Sequence, residues 1–290
     1  MRLLLIGNLS DRRCGFANFT DQNIIAFRRA GHTVTAFDGT YSSVYARQQT
    51  GDPGFLPSDA GSYDVIHLIW HAMTMNHYTG CVWPKGPVLS FWDGGPSNAY
   101  CPFHTAFSSK WTCYDRSAEG YHENWYPIPD WVTDLPTPAE TFTVGVSSVR
   151  GDGVAELTDL CAKRGWGLNV PTPGQWLTLE DEVRRLAKST VNVSWYETAP
   201  LWKDRAGAPS MALASGRPLL ISRDSLLSHL WDYPDIYHGR ITKHGGPGLE
   251  ESLERIKADY EAGTLLMPSK VHELDWAKSV DLYVSKWGVR

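Results

Sequence analysis

The stretch WYETAPLWKDRAGAPSMALASGRPLLIS, residues 195–222, decides the fold of this chain. It begins as a polar loop that contains a proline, continues as a short helix of small residues, and turns through Gly216 into the apolar run 219–221. A loop that opens a helix and then leads into a buried strand is half of a nucleotide-binding α/β unit. Lys203 and Arg205 flank the predicted helix start, where cations and free backbone N–H groups together attract a diphosphate.

A βαβ pattern opens the chain. Residues 2–6 are rich in leucine, which predicts a strand, and a polar loop with two glycines follows. Asn18 or Thr20 is expected to cap a helix that runs to Ala30, and residues 32–37 form the next strand. Such a unit is the start of a doubly wound parallel sheet.

The loop after the first strand is a candidate ligand site, because doubly wound sheets bind ligands at the carboxyl ends of their strands. Gly15 would let the backbone approach an anion, and Arg12 and Arg13 add positive charge. The sequence GNLSDRRCGF lacks the GxGxxG spacing of dinucleotide-binding loops. Asp38 ends the second strand, where NAD-binding proteins carry an acidic residue, so NAD binding stays open on this feature alone.

Two further apolar strands, 64–70 and 86–92, lead to polar residues at the same edge of the predicted sheet. His67 lies inside the first of them and is interpreted as a core residue, whereas His71 falls just past its end and is better placed for function. Asp93 follows the second strand and precedes two glycines. A carboxylate in this place either acts as a general base or caps the turn.

A second α/β pattern follows the Pro-containing segment 126–134, the best candidate for an interdomain linker. Before residue 195 it comprises strands at 141–146, 168–170 and 191–195, a polar loop at 147–153, and helices at 154–164 and 179–189; helices at 226–230, 249–262 and about 272–287 follow residue 222. The sequence therefore predicts an α/β protein with two Rossmann-like domains, 1–134 and 135–270, and a last helix within 271–290.

The composition is that of an ordinary soluble globular protein: 290 residues, 42% of them hydrophobic and 20% charged. A net charge of −5 does not suggest a dedicated nucleic-acid binder, but it leaves room for a local basic patch. No run approaches the about 18 apolar residues of a membrane span, and the apolar N-terminus is too short for a signal peptide. Five cysteines without a CxxC pattern argue against a disulfide framework and predict a cytoplasmic protein.

One pattern of metal-ligand residues is present, made of Cys101, His104, Cys113 and His122. Zinc modules place their cysteine and histidine ligands at short, regular spacings. These four residues do not have such spacings, so no metal site is predicted.

The segment APSMALASGRPLLIS, residues 208–222, resembles the C-terminal-domain signature of GT-B glycosyltransferases, above all of the large retaining family with many bacterial sugar transferases. Other parts resemble the family in the same order along the chain. These are LLLIGN, CGFANFT and FRRAGHTVTAFD near the N-terminus, then DVIHLIWH, FWDGGP and VSSVRGDG, and a last helix that carries Trp276. Lys203 and Met211 stand where the family has two glutamates, and Trp92 replaces the usual histidine before Asp93.

The resemblance implies a GT-B fold, with an interdomain cleft and a C-terminal helix that crosses back to the first domain. It implies transfer of a sugar from a nucleotide-sugar donor to a hydroxyl acceptor, without a metal ion or other cofactor. It also assigns site residues. These are Gly15, Arg150, Lys203 and Arg205 for the donor phosphates, Glu197, Gly207, Ser210 and Met211 for the donor sugar and nucleotide, His71, Arg12 and Arg13 on the acceptor side, and Asp93 as the catalytic residue.

Several alternatives remain at this point. The acceptor could be a hydroxymethylated base in DNA of the phage type, in which case the chain would work in the host's cytoplasm. Asp93 deprotonates the acceptor in an inverting enzyme, whereas in a retaining enzyme it only orients a substrate. A non-catalytic GT-B-like nucleotide- or sugar-binding module is the second hypothesis, and a Rossmann oxidoreductase is the third.

Overall fold

The chain folds into two compact α/β units, Met1–Trp125 with Trp276–Arg290, and Tyr126–Asp275. A computed structural model describes residues 1–9, 15–49, 55–70, 75, 78, 81–93, 109–112, 127–150, 153–172, 177–196, 208–222, 230–239, 248–268 and 275–289. Each unit is built on a five-stranded parallel sheet. The predicted α/β class is therefore confirmed.

The elements follow one another in the order expected for two doubly wound units. The strands are β1 (Arg2–Gly7), β2 (Thr33–Asp38), β3 (Val65–Trp70), β4 (Val88–Asp93), β5 (Ser109–Thr112), β6 (Thr143–Arg150), β7 (Gly167–Asn169), β8 (Val191–Tyr196), β9 (Leu219–Ser222) and β10 (Tyr237–Gly239). The helices are α1 (Gly15–Arg29), α2 (Tyr41–Gln49), α3 (Gly153–Arg164), α4 (Leu179–Ala187), α5 (Ala208–Ala214), α6 (Leu249–Ala262) and α7 (Trp276–Trp287), with a 3₁₀ turn at Ala60–Ser62.

The two sheets share one strand order. It is β2-β1-β3-β4-β5 in the first unit and β10-β9-β8-β6-β7 in the second, which is the same order counted from the other edge. In each sheet, the second strand along the chain pairs with one side of the first strand, and the third strand pairs with its other side. The order therefore changes direction between β1 and β3, and again between β6 and β8.

The central strands are apolar because both faces of each sheet are covered. Leu3, Leu4, Leu5 and Ile6 of β1 are fully buried. Strands buried on both faces have continuous apolar runs instead of alternating patterns. These runs are the reason that the sequence predicted the strands well.

Helix α1 begins at Gly15, so the prediction of a cap at Asn18 or Thr20 is wrong. Thr20 is buried inside the helix, and Phe19 stacks on Trp92 with 4.4 Å between the ring centroids. Burial of these side chains against the sheet keeps residues before Thr20 helical. A side chain inside the helix cannot serve as its cap.

Strand β6 is longer than the sequence predicted. Residues 147–150 were assigned to a polar loop, but they continue the strand after a bulge between Val146 and Ser148. Ser147 donates a hydrogen bond from Oγ to the Val193 carbonyl oxygen at 3.0 Å. The hydroxyl group of Ser147, which makes this segment look like a loop, therefore bonds to the neighbouring strand.

Strand β10 was not predicted from the sequence. Leu230 lies in a turn, while the rest of the predicted helix 226–230 lies outside the described residues. Among the helices that the structure describes, none is long and apolar enough to cross a membrane.

The last helix, α7, belongs to the first unit. Trp276, at its start, is buried and hydrogen-bonds to Gln22 of α1, while Trp287, at its end, stacks on Phe27 at 5.3 Å between ring centroids. Tyr283 lies between them and is fully buried, which raises the pKa of its phenol. An apolar face of α7 thus completes the core beside α1.

Candidate functional site

The carboxyl ends of the strands at the two changes of direction are where this topology binds ligands. In the first unit, β1 ends at Gly7, and α1 begins at Gly15. In the second unit, Arg150 ends β6 and lies in register with Tyr196, the last residue of β8. Two residues predicted to bind the donor phosphates, Gly15 and Arg150, therefore lie at these places.

A close approach of helix to strand shapes the first of these sites. A Cβ atom at Gly7 would lie 2.5 Å from Oγ1 and 2.6 Å from Cγ2 of Thr20. Only glycine leaves room there, so α1 packs tightly against the end of β1. Glycines have this function in the strand-to-helix loops of nucleotide-binding units.

Asp93 is the last residue of β4, in register with Trp70 of β3 and Thr112 of β5. Parallel strands end at one edge, so its backbone lies on the same edge of the sheet as the end of β1. The side chains of Asp93 and Arg150 lie outside the described part of the structure. Their chemical roles stay predictions.

Asp38 has a local structural role at the end of β2. Its carboxylate accepts hydrogen bonds from the backbone N–H of Thr40 at 3.0 Å and from the hydroxyl of Ser43 at 2.8 Å. The side chain therefore holds the turn that opens α2. In an NAD-binding protein, the acidic residue at this position would instead bind the ribose of the cofactor.

Helix α5, within the stretch 195–222, carries Ser210 and Met211. Ser210 is buried, and Met211 is half-buried and packs with Leu179 and Val183 of α4. Met211 thus fills an apolar contact between α4 and α5, where the resemblance would place a glutamate. The predicted contacts of both residues with the donor are not tested by this packing.

The other predicted site residues lie outside the described residues. They are Arg12, Arg13, His71, Glu197, Lys203, Arg205 and Gly207, together with the weak metal pattern Cys101, His104, Cys113 and His122. Within the described ranges, no three His, Cys, Asp or Glu side chains are grouped so that they could hold a metal ion.

His67 lies in the core of the first unit, as the sequence indicated. Its Nδ1 lies 2.9 Å from Oγ of Ser90, and its ring packs against Tyr283 and Trp287 of α7. Burial lowers the pKa of His67 to about 3, so the ring is neutral at physiological pH. A neutral imidazole in this place supports the packing of α7.

A shallow cavity of about 740 Å³ lies along α4 in the second unit. It is lined by Asp181, Arg184 and Arg185 of α4 and by the flanking residues Asp134, Leu135, Pro136, Val170, Thr172, Leu177 and Lys188. Arg184 on its wall is exposed and lies 4.0 Å from Asp181.

One buried charged group beside the middle of β6 was not predicted from the sequence. Arg185 and Glu182 of α4 form an ion pair whose side chains are only 12% and 13% exposed. A helix that contains LEDEVRR has the charge pattern of a solvated face, so local sequence has no signal for this burial.

The two parallel α/β units agree with a GT-B fold, the fold that the sequence motifs resemble. No protein-family model and no curated protein matches the sequence. The fold is similar to that of an alpha-glucosyltransferase solved with UDP and a 13-mer DNA, with a TM-score of 0.67, 11% identity and coverage of 100% of both chains. Another structure of such an enzyme, with UDP and DNA containing an HMU base, gives a TM-score of 0.63 at 10% identity, again over 100% of both chains.

Other solved structures share the fold. One is a glycosyltransferase from Rickettsia africae, with a TM-score of 0.53, 10% identity and coverage of 98% of both chains. Another is HepE of Anabaena in complex with UDP, with a TM-score of 0.50, 13% identity and coverage of 98% of this chain and 100% of that chain. The likeness extends over the whole length, so the resemblance drawn from the sequence motifs is confirmed at the level of the fold.

Proposed function

We propose that the protein is a glycosyltransferase that moves a sugar from a nucleoside diphosphate sugar to a hydroxyl acceptor. The observation that carries the proposal is the full-length likeness to an alpha-glucosyltransferase solved with UDP. UDP is also bound in the Anabaena neighbour, so a uridine diphosphate sugar is the proposed donor. The positions of Gly15 and Arg150 at the ends of β-strands where this topology binds ligands agree with it.

The chemistry requires a stable leaving group. The bond between the anomeric carbon and the donor phosphate breaks, and the nucleoside diphosphate leaves with the bonding electrons. Arg150, Lys203 and Arg205 are proposed to stabilise the charge that develops on this diphosphate, in place of a metal ion. A new bond forms between the anomeric carbon and the acceptor oxygen.

The acceptor proton has two proposed destinations. In an inverting reaction it goes to the carboxylate of Asp93, which acts as a general base. In a retaining reaction it goes to the leaving phosphate, and Asp93 orients the sugar or the acceptor. The position of Asp93 at the end of β4 supports both versions.

The acceptor is proposed to be a hydroxymethylated base in DNA. The support is that one similar structure holds DNA with an HMU base. Transfer from a radiolabelled donor to oligonucleotides with and without a hydroxymethylated pyrimidine tests this. Label only on the modified strand would support the proposal, and label on neither strand would remove DNA as acceptor while leaving sugar transfer to other hydroxyl groups open.

The donor is tested by thermal-shift measurements with a panel of nucleoside diphosphates and their sugars, followed by assays for slow hydrolysis of the sugar nucleotide. We expect one nucleotide to stabilise the protein and its sugar to be released. Asp93→Asn should retain the stabilisation and lose transfer in the inverting version, with exposed Asp59→Asn as the matched control. Absence of stabilisation by every nucleotide would contradict the proposal.

A non-catalytic binding module is the second candidate. Lys203 and Met211 replace the two glutamates of the family, and this departure favours it. The two candidates differ in one measurement. Tight nucleotide binding without any hydrolysis or transfer, for every donor in the panel, would favour the module.

A further inference from the structure

Strand β6 contains a bulge near its middle, between Val146 and Ser148. Val146 lies opposite Val193, whereas the next paired residue is Ser148, opposite Ser194, so Ser147 is the additional residue. A bulge disrupts the hydrogen-bond ladder locally and shifts all later residues of its strand by one position. Such a feature persists only where surrounding groups hold it.

The bulge decides which residue ends the pairing between β6 and β8. Beyond it, Arg150 lies in register with Tyr196. Without the additional residue, Val149 would lie opposite Tyr196, since each later partner would move by one position. This pair lies where the strand order of the second sheet changes direction, the place where such sheets bind ligands.

Arg185 reaches the bulge from α4. Its Nη2 donates to the carbonyl oxygen of Val146 at 2.7 Å, on the residue that precedes the additional one. Its Nη1 donates to the backbone oxygen of Asn169 at 2.8 Å and to the side-chain oxygen of the same residue at 3.1 Å. The guanidinium therefore joins α4 to the edge strand β7 and to β6.

Glu182 completes the arrangement. Its carboxylate accepts from Nε of Arg185 at 2.8 Å and from Nη2 at 2.5 Å. A guanidinium has five N–H donors in a fixed plane, and each of them has an acceptor here. Lysine has its donors at a single nitrogen and cannot span the same acceptors.

Hydrogen bonds to β8 also hold the bulge. Oγ of Ser147 donates to the carbonyl oxygen of Val193 and lies 2.5 Å from Oγ of Ser194. The additional residue is thus bonded to β8, while the residue before it is bonded to α4. Among the hydrogen bonds of the described residues, the one from Arg185 to Val146 reaches the bulge from outside the sheet.

We infer that Arg185 is a positioning residue, which holds the bulge of β6 so that Arg150 lies at the end of the strand opposite Tyr196. The inference rests on the proposed function, in which Arg150 binds the donor diphosphate. Arg185 acts through Arg150 and does not itself contact the donor. Its partners, Glu182 and Asn169, fix the orientation of its guanidinium.

The test uses Arg185→Lys, with Arg184→Lys as the matched control because Arg184 is the exposed neighbour on the same helix. Hydrogen exchange of the peptide covering residues 143–150, followed by mass spectrometry without ligand, reports on the bulge itself. We expect faster exchange in Arg185→Lys and no change in Arg184→Lys. Unchanged exchange in Arg185→Lys would overturn the inference.

The link to the donor is tested by calorimetric titration with UDP. We expect Arg185→Lys to raise the Kd for UDP about tenfold, the size of one hydrogen bond to a charged group. In a chain that already carries Arg150→Ala, the same substitution should change the Kd less than about twofold, because residues that act through one another are not additive. An unchanged Kd, or additive effects, would contradict a role through Arg150.

A second variant keeps the test valid if Arg185→Lys does not fold. Glu182→Gln keeps an acceptor for the guanidinium but removes its charge, so smaller changes in the same direction are expected. If the wild-type chain binds no nucleotide at all, the proposed function fails and the positioning role fails with it. The hydrogen-exchange result then still shows whether Arg185 holds the bulge.

Discussion

The indole of Trp276 donates a hydrogen bond from Nε1 to Oε1 of Gln22 at 2.9 Å, although 254 residues separate the two in the sequence. Both side chains are buried, so the bond forms away from water. It joins the start of the last helix to α1, the helix that follows the first strand. The C-terminal helix is thereby part of the core of the first unit.

We predict that Trp276→Phe destabilises the protein by about 2 kcal/mol, because the Gln22 amide loses a buried partner and the core loses volume. The measurement is the free energy of unfolding from urea titration. Leu282→Ala is the matched control, since Leu282 is 41% exposed on the same helix. Equal effects of the two substitutions would show that the buried bond contributes nothing.

We predict that the first unit loses stability in acid because of His67. Its folded-state pKa of about 3 lies below the ordinary 6.5, so the unfolded chain binds the proton more tightly. The stability that the neutral His67 ring contributes is fully present above pH 6.5 and is lost as the pH falls toward 3. The expected loss at pH 5 is about 2 kcal/mol.

The effect of His67 is measured as the difference in unfolding free energy between the wild type and a variant without the imidazole. Urea titrations of the wild type and of His67→Asn are compared between pH 5 and pH 7.5, so that titration of all other groups cancels. The wild type should lose more stability on acidification than the variant. Parallel pH profiles would mean that His67 is not the group responsible.

Gly7→Ala is predicted to destabilise the first unit by about 1–3 kcal/mol, because the new Cβ would overlap Thr20 and push α1 away from β1. Gly61→Ala is the control, since the nearest atom to a Cβ there is 3.7 Å away. Thermal unfolding of both variants checks the difference. Thr20→Ala added to Gly7→Ala should recover part of the loss, and no recovery would locate the strain elsewhere.

Each of Arg150→Ala, Lys203→Ala and Arg205→Ala is predicted to weaken UDP binding about tenfold, as expected for loss of a charge-assisted hydrogen bond. The exposed Lys278→Ala is the control. Calorimetric titration at two salt concentrations measures the effect, and the loss should be smaller at high salt. A variant that binds UDP as the wild type does would lose its predicted role at the phosphates.

Sugar transfer is predicted to continue after the protein is treated with EDTA and desalted. The reason is that cationic side chains, in place of a metal ion, are proposed to stabilise the leaving diphosphate. The measurement is the transfer rate before and after treatment. A rate that falls and returns on addition of Mg²⁺ or Mn²⁺ would show that the prediction is wrong.

Much of the fold could be predicted from the sequence because parallel strands are buried on both faces. Apolar runs identified β3, β4, β8 and β9 to within two residues at each end. Strand β10 is only three residues long, too short to produce a clear pattern. The predicted interdomain cleft, and most of the predicted site residues, stay predictions.

The sequence by itself determined the α/β class, the two successive sheets and, to within one residue, the strand end at which Asp93 lies. These depend on local runs of apolar residues and on the polar residues that follow them. Tertiary structure alone decided which surface α7 covers, how closely α1 approaches Gly7, and where the bulge in β6 shifts the pairing. Those features depend on contacts between residues far apart in the chain, such as Arg185 with Val146, for which local sequence has no periodic signal.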